Sequence, residues 1–474
     1  MSQELPKVNR EEFRRRMREA FERTMDQVVD AVDAAPCGRI IRDSEEKARD
    51  VLEEFRRVVF ETATQMKIDA AEAAFSPPEN PATRRPMRNK GQQPMSVLTV
   101  NGRLRLRRTR WHDADDSVAP ADRWLDEAEA TVSEGTREMI CRLNQHSSSF
   151  AATAANLKRT ACLDISKEQV RQLVESEGRA VLDQMRRGEL PPDWKAADCI
   201  AEENSDTSRL YIGCDGVKVP LVTAAEKQKR RTDVKAKRRR CGKKCRPLPR
   251  AKAGSDQPYK EFRLVVLYDE TQERRAVSVT RGDHEATGRM LWNMAEEVQL
   301  LDADERIANI DGAPWIRNQI EFHGVAKDIG LDYYHLKDNV HKTRRIAFGE
   351  ESEAGKAWSD ELLGKFYTVG YDDAYDSLVA WRSTLRGAKR AEANRLLNYV
   401  SERREMIRYP EFREKGWQTG SGPTEAQCKS TAQRVKGRGR RWNADHAESI
   451  MALSCLQSSN GWHRYWKNLS ANET

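Results

Sequence analysis

The amino-acid sequence predicts an α/β protein in which a mixed sheet is joined to a long helical stretch and preceded by a mainly helical amino-terminal region. Three observations carry that expectation. Strand-like runs at 209–223, 260–270 and 274–282 are followed by alternating helix and strand patterns to residue 336, as in a mixed sheet with helices on its faces. Residues 337–410 read as helical and highly charged. Residues 10–75 carry apolar side chains at i, i+3/i+4 spacing. At 474 residues the chain has room for about three domains, and 33% charged against 38% hydrophobic residues is a globular balance. No apolar run approaches the ~20 residues that cross a bilayer. The charged start, MSQELPKVNREEFRRRM, has no apolar core of a secretory signal. Nine scattered cysteines fit a reduced, cytoplasmic protein without membrane association.

Element by element, residues 1–75 form a helical region. The Pro-rich, polar segment 76–94 is a linker. Residues 95–111 alternate around Asn101-Gly102, a hairpin signal, with Arg-rich exposed faces. Between Glu134 and Met185 two short helices precede a longer one, where Ser166 and Gln169 make a capping box. That arrangement suits a helix-turn-helix carrying Lys167, Arg171 and Arg179, or equally a small helical bundle. Residues 209–223 read as a strand interrupted at Asp215-Gly216, and 305–313 as a short strand ending at Asp311. Residues 330–336 are another strand candidate.

The net charge of +8 is unevenly spread. Residues 227–252 hold 14 Lys and Arg against one acid, Asp233, which leaves the rest of the chain at −5. Lys229, Arg230, Arg231, Arg238, Arg239, Arg240, Lys243 and Lys244 belong to this tract; Arg434, Lys436, Arg438, Arg440 and Arg441 make a smaller patch, and Lys429 is a further candidate for binding DNA. Such concentrations suit a phosphate backbone, or else a solvated loop.

Two carboxylates stand out. Asp215 and Asp311 are each followed by Gly, in CDGVK and IDGAP, on strand patterns whose ends expose ligand-binding groups. With a third carboxylate they could bind two Mg²⁺ ions for in-line phosphoryl displacement; a turn is the commoner use of Asp-Gly. Glu425, in GSGPTEAQCK, is the third candidate, against the alternative of a helix-capping Glu. Glu402, Glu405, Glu411 and Glu414 are rivals on a charged helical face, and Asp332 lies near the same sheet.

CDGVKVP, NIDGAPWI, LDYYHLKDNV and GSGPTEAQCKSTAQRVKGRGRRWN together resemble the DDE transposases of bacterial insertion sequences, in particular the ISKra and ISLre groups, which are similar to Mutator-like transposases. The resemblance covers about residues 95–466. It implies a ribonuclease H-like core with Asp215, Asp311 and Glu425 as the metal-binding, catalytic triad and Asp332 and His335 as accessory residues of a D-x-x-H motif. The implied layout is a hairpin plus helical DNA-binding domain over 95–200, a first core segment over 205–340 with a basic insertion at 227–254, a helical insertion over 341–410, and a closing core segment over 411–474 that carries the Glu425 helix. The implied cofactor is Mg²⁺, two ions, with Mn²⁺ as substitute. The implied partners are element terminal repeats and target DNA, bound by at least a dimer in a bacterial, nucleoid-associated setting. A regulator that binds DNA without cutting it, or a nuclease on the same core, is the alternative. Zinc is not expected: 111–124 lacks the cysteines of relatives, and Cys241-x-x-x-Cys245 has no second pair. Trp381, beside Arg382 and Arg386, could stack an unpaired base at a cleaved end, or could simply pack a helical core.

Overall fold

The computed structural model describes residues 5–80, 84–113, 116–125, 131–202, 204–242, 247–248, 250 and 253–471. It divides into two compact units, residues 1–174 with 466–474, and residues 175–465.

In the first unit, α1 (Arg10–Asp33) and α2 (Ile40–Ala73) pack on one another, with Phe21 against Phe55. The Asn9 side chain caps α1 by accepting from the N–H groups of Glu11 and Glu12. β1 (Arg88–Thr99), β2 (Gly102–Asp113) and β3 (Asp116–Val118) form an antiparallel sheet in that order. Thr99 pairs with Gly102, so the turn is Val100-Asn101, one residue earlier than expected, and Gly102 takes φ +103° as the strand begins. The strand also reaches back to Arg88, into the segment expected as linker. Cross-strand pairing from Gln92–Thr109 to Arg88–His112 supplies order that the polar composition does not signal. Leu104 and Leu106 bury against Ile68 and Ala121, with Met95 and Trp124 around them. Three helices follow: α3 (Glu134–His146), α4 (Phe150–Ala161) and α5 (Lys167–Arg186), of which α5 belongs to the second unit from Glu175 on. Cys162 ends α4 in the left-handed region, and Ser166 and Gln169 exchange the two bonds of a capping box.

The second unit is built on a sheet of order β7-β6-β5-β8-β9. The short β4 (Ile200–Ala201) pairs with β5 (Asn204–Pro220). From β5 the chain enters α6 (Ala224–Arg240), then β6 (Tyr259–Tyr268), β7 (Arg275–Thr280), α7 (His284–Glu297), β8 (Glu305–Ile310), α8 (Pro314–His323) and β9 (Asp328–Leu331). β6 runs antiparallel to both β5 and β7, and β8 and β9 run parallel to β5. Next come α9 (Tyr333–Phe348), α10 (Glu353–Gly364), α11 (Tyr371–Ser383), α12 (Gly387–Ser401) and α13 (Tyr409–Glu414). α14 (Gly422–Ala432), α15 (Ala444–Ser458) and α16 (Trp462–Ala471) complete the chain. One core runs from Leu210 and Ile212 of β5 through Leu336 and Val340 of α9 to Leu378 of α11 and Val400 of α12. Among the described residues no helix is long and apolar enough to cross a membrane.

Three expectations are corrected here. β5 is not interrupted at Asp215-Gly216: both residues stay in the ladder, opposite Leu264 and Arg263. The run 330–336 is not one strand. β9 stops at Leu331, and Asp332 caps α9 by accepting from the His335 N–H at 3.0 Å. The basic tract is not a loop through its first half. Residues up to Arg240 are helical because Lys, Arg, Gln and Ala are good helix formers and Thr223 and Glu226 supply a capping box.

Candidate active site

Sheet register explains why the first two carboxylates meet. Ile212 pairs with Ala308 on parallel strands, so three residues further Asp215 and Asp311 come level at the same edge of the sheet. Ile310 pairs with Leu331, which brings Asp332 level in turn. Gly216 continues its strand, whereas Gly312 turns at φ +83°. There the Asp311 carboxylate accepts from the Ala313 N–H at 2.7 Å, and Arg403 donates to the Gly312 carbonyl at 3.0 Å.

The third carboxylate arrives on α14, whose approach depends on Gly213. A Cβ at that position would stand 1.8 Å from Thr424 Oγ1 and 2.8 Å from its Cβ, so only glycine lets the helix lie this close to β5. The turn before α14 is clamped from several sides. Tyr211 Oη accepts from the Gln418 N–H at 3.2 Å, and Asn309 donates to the Gln418 carbonyl at 2.8 Å. The Tyr333 N–H donates to the Thr419 carbonyl at 3.0 Å. Buried Asp332 receives the Ser421 N–H and, at 2.5 Å, its hydroxyl. Asp332 is thus committed to holding α14 and α9 together.

Asp215, Asp311, Glu425 and His335 line one cavity of about 410 Å³, joined by Asp338, Cys428, Lys429 and Lys436. Burial pushes the Asp215 carboxyl above its ordinary value and the Asp311 charge adds to this; the Gly216 N–H, the Cys428 thiol and His335 oppose it. The Cys428 thiol is itself pushed up by burial and then by Asp215. Glu425 makes no capping bond. Its partners are His335 Nε2 at 3.7 Å, attractive only with the imidazole protonated, and Lys429 Nζ at 3.9 Å. Three carboxylates are a hard-oxygen donor set of the kind Mg²⁺ takes, and Mg²⁺ needs only one or two of them while keeping waters. Among the described residues no three His, Cys, Asp or Glu side chains are already gathered into a metal cage.

Other candidates lie elsewhere. Glu411 is tied to Arg408 at 2.5 Å and Lys415 at 2.9 Å. Trp381 is packed between rings, with Phe348 at 5.7 Å and Trp358 at 4.3 Å. Lys229, Arg230, Arg231, Arg238, Arg239 and Arg240 lie on α6, which buries no residue. Lys243, Lys244 and Cys245 lie outside the described residues. Lys429 and Lys436 are exposed at the cavity. Arg434 is buried, 2% exposed, and sits 5.2 Å from the Trp442 ring centre; burial lowers its pKa to about 10. Arg440 donates to the carbonyls of Gln433 and Arg434, and Arg441 pairs with Glu226 at 3.1 Å, bracing the base of α6.

Sequence reasoning passed over Cys428 and Asp338 as site residues, and placed Lys436 only in the basic patch. Cys428 falls three residues after Glu425, on the same helical face, so its spacing was a usable signal. Asp338 likewise falls three residues after His335 on α9.

No family model matches this sequence, and no curated protein matches it either. Among solved structures, the chain matches the Drosophila P element transposase strand transfer complex at 9% identity and a TM-score of 0.25, over 71% of this chain and 80% of that one.

Proposed function

We propose that this chain is a DNA transposase that cuts element ends and joins the freed 3′-hydroxyl to target DNA. One observation carries the reading: Asp215, Asp311 and Glu425, separated widely in sequence, line a single open cavity bordered by Lys429 and Lys436. Their segments are those that resemble DDE transposases, and the antiparallel β5-β6-β7 with parallel β8 and β9 is compatible with a ribonuclease H-like core. The three carboxylates would hold Mg²⁺, whose charge neutralises phosphate oxygens and lowers the barrier to in-line displacement.

The chain's own residues do the rest. Cys428 lines the cavity beside Asp215, and Asp332 fixes the helix that carries Glu425. Lys429 and Lys436 offer positive charge to a backbone that the acidic cavity would otherwise repel. α6 presents a basic surface for phosphates away from the reacting groups.

The test is cleavage and strand transfer by the purified chain, with Mg²⁺ or Mn²⁺, on DNA spanning both flanks of its own gene. Asp215→Asn, Asp311→Asn and Glu425→Gln should each abolish cutting and joining while duplex binding persists. Binding without cutting by the unaltered chain would favour a regulator; cutting without joining would favour a nuclease. Full activity in Glu425→Gln would move the third carboxylate elsewhere.

A further inference from the structure

The β1–β2 ribbon has one face left partly open: Pro94, Ser96, Arg105 and Arg107 are exposed, Arg103 is half-buried and Leu98 beside it is buried. Its apolar face, Leu104 and Leu106 with Met95, is packed with Ile68 of α2. The β2 edge is closed by α2 side chains. The N–H groups of Arg105, Arg107 and Thr109 donate to Glu61, Gln65 and Glu72 at 2.7, 2.7 and 2.6 Å. On β1 the outward-facing positions are those opposite these residues: Ser96, Pro94 and Gln92. Pro94 has no N–H to offer, and Leu98, next in that series, is bonded to Thr131 and Ser133. Neither edge is therefore free to take a further strand along its length.

What remains is the face bearing Arg103, Arg105 and Arg107 on alternate residues, opposite Leu98, Ser96 and Pro94. Among the described residues none of the three forms an ion pair. The contrast with the packed face is direct: Arg108 pairs with Asp122 at 2.7 Å, and Arg110 donates to Ser117 and Gln93. Acids do lie beside Arg105 and Arg107 in the crevice along α2. Glu61 is taken by the Arg105 N–H and Arg57, Glu72 by Thr109, and Asp69 by Gln65. Alternate residues on a strand stand about 6.8 Å apart, so the row spans roughly 14 Å. B-DNA's major groove, about 12 Å wide, admits a two-stranded ribbon, whereas the major groove of duplex RNA is too deep and narrow.

We propose that this face contacts duplex DNA, with the ribbon in the major groove and Arg103, Arg105 and Arg107 directed at the DNA. The inference rests on the reading of the chain as a DNA-processing enzyme and names the element that holds the duplex. Its test is binding by the full chain to the flanking-gene duplex over a range of salt, with methylation protection of guanine N7 as a major-groove readout. The triple variant Arg103→Ala, Arg105→Ala, Arg107→Ala should bind at least about tenfold more weakly, lose N7 protection and flatten the log K against log salt slope by about 2–3. The corresponding Lys triple should keep most of the slope. Arg105→Glu alone, at an exposed position, gives the same direction if the triple variant melts early. Unchanged affinity and protection in these variants, equal binding to single strands or duplex RNA, or no duplex binding by the unaltered chain would overturn the proposal. The two readings fail separately. A chain that cuts DNA but ignores these substitutions refutes the ribbon alone; one that binds through the ribbon and never cuts refutes the enzyme alone.

Discussion

Asp332 shows how one buried carboxylate can shape a cavity that it does not line. It is 1% exposed and accepts from the His335 N–H, the Ser421 N–H and the Ser421 hydroxyl, so its two oxygens serve both the start of α9 and the turn into α14. Asp332→Ala leaves three donors without their acceptor and should cost on the order of 2–4 kcal/mol in denaturant unfolding. Asp332→Asn keeps the shape but turns an amide N–H toward Ser421, and should lower both stability and cutting. An Asn variant of unchanged stability would show that the clasp is dispensable. Glu411 gives a prediction in pH. Arg408, and after it Lys415, hold its carboxyl at about 2, below its ordinary 4.5. A depressed carboxyl contributes stability above its unfolded value and loses it as pH falls through the folded one. The melting-temperature loss in Glu411→Gln should therefore be largest near neutrality and fade between about pH 4.5 and pH 2.

At the scale of elements, the approach of α14 to β5 is set by Gly213. Gly213→Ala forces the helix outward from Thr424 and should cost about 1–3 kcal/mol. It should also impair cutting, because Glu425 rides on that helix, while duplex binding stays intact; adding Thr424→Ala should restore some of both. α6 is the opposite case, an element that buries no residue. Arg238→Ala, Arg239→Ala and Arg240→Ala together should leave the melting temperature unchanged and flatten the salt dependence of DNA binding; an unchanged slope would make the helix a bystander. These two helices also show what the residues alone could and could not disclose. Alternation around Cys214 and Ile310 was enough to identify the strands that carry Asp215 and Asp311. The Asp-Gly pairs look identical in sequence, yet one continues a ladder and the other turns, because only the neighbouring strand decides. The aromatic run after Asp332 has strand propensity, but the capping bond to His335 makes it a helix. For α6, charge density suggested a loop while the Thr223–Glu226 box was a short local signal for helix. Lys436 joins the cavity only through packing that no local pattern records, whereas Cys428 shares a helical face with Glu425.

For the molecule as a whole, the helices between β9 and α14 share a core with the sheet. Leu378 of α11 and Leu396 and Val400 of α12 belong to the same buried cluster as Ile212 of β5. Leu378→Ala and Ile212→Ala, each at a fully buried site, should cost about 2–5 kcal/mol and displace one common unfolding transition followed by tryptophan fluorescence. Two separable transitions, each moved by only one of the substitutions, would mean that the helices form a domain of their own. The order of the chain adds a temporal consequence. Asp215 and Glu425 are 210 residues apart, with the basic helix and the arginine ribbon both made well before Glu425. At about 5–20 residues per second of synthesis, the third carboxylate follows the first by roughly 10–40 s. On the proposed reading, a growing chain acquires its surfaces for nucleic acid before it acquires the means to cut, and an incomplete product would compete for DNA ends while remaining inert.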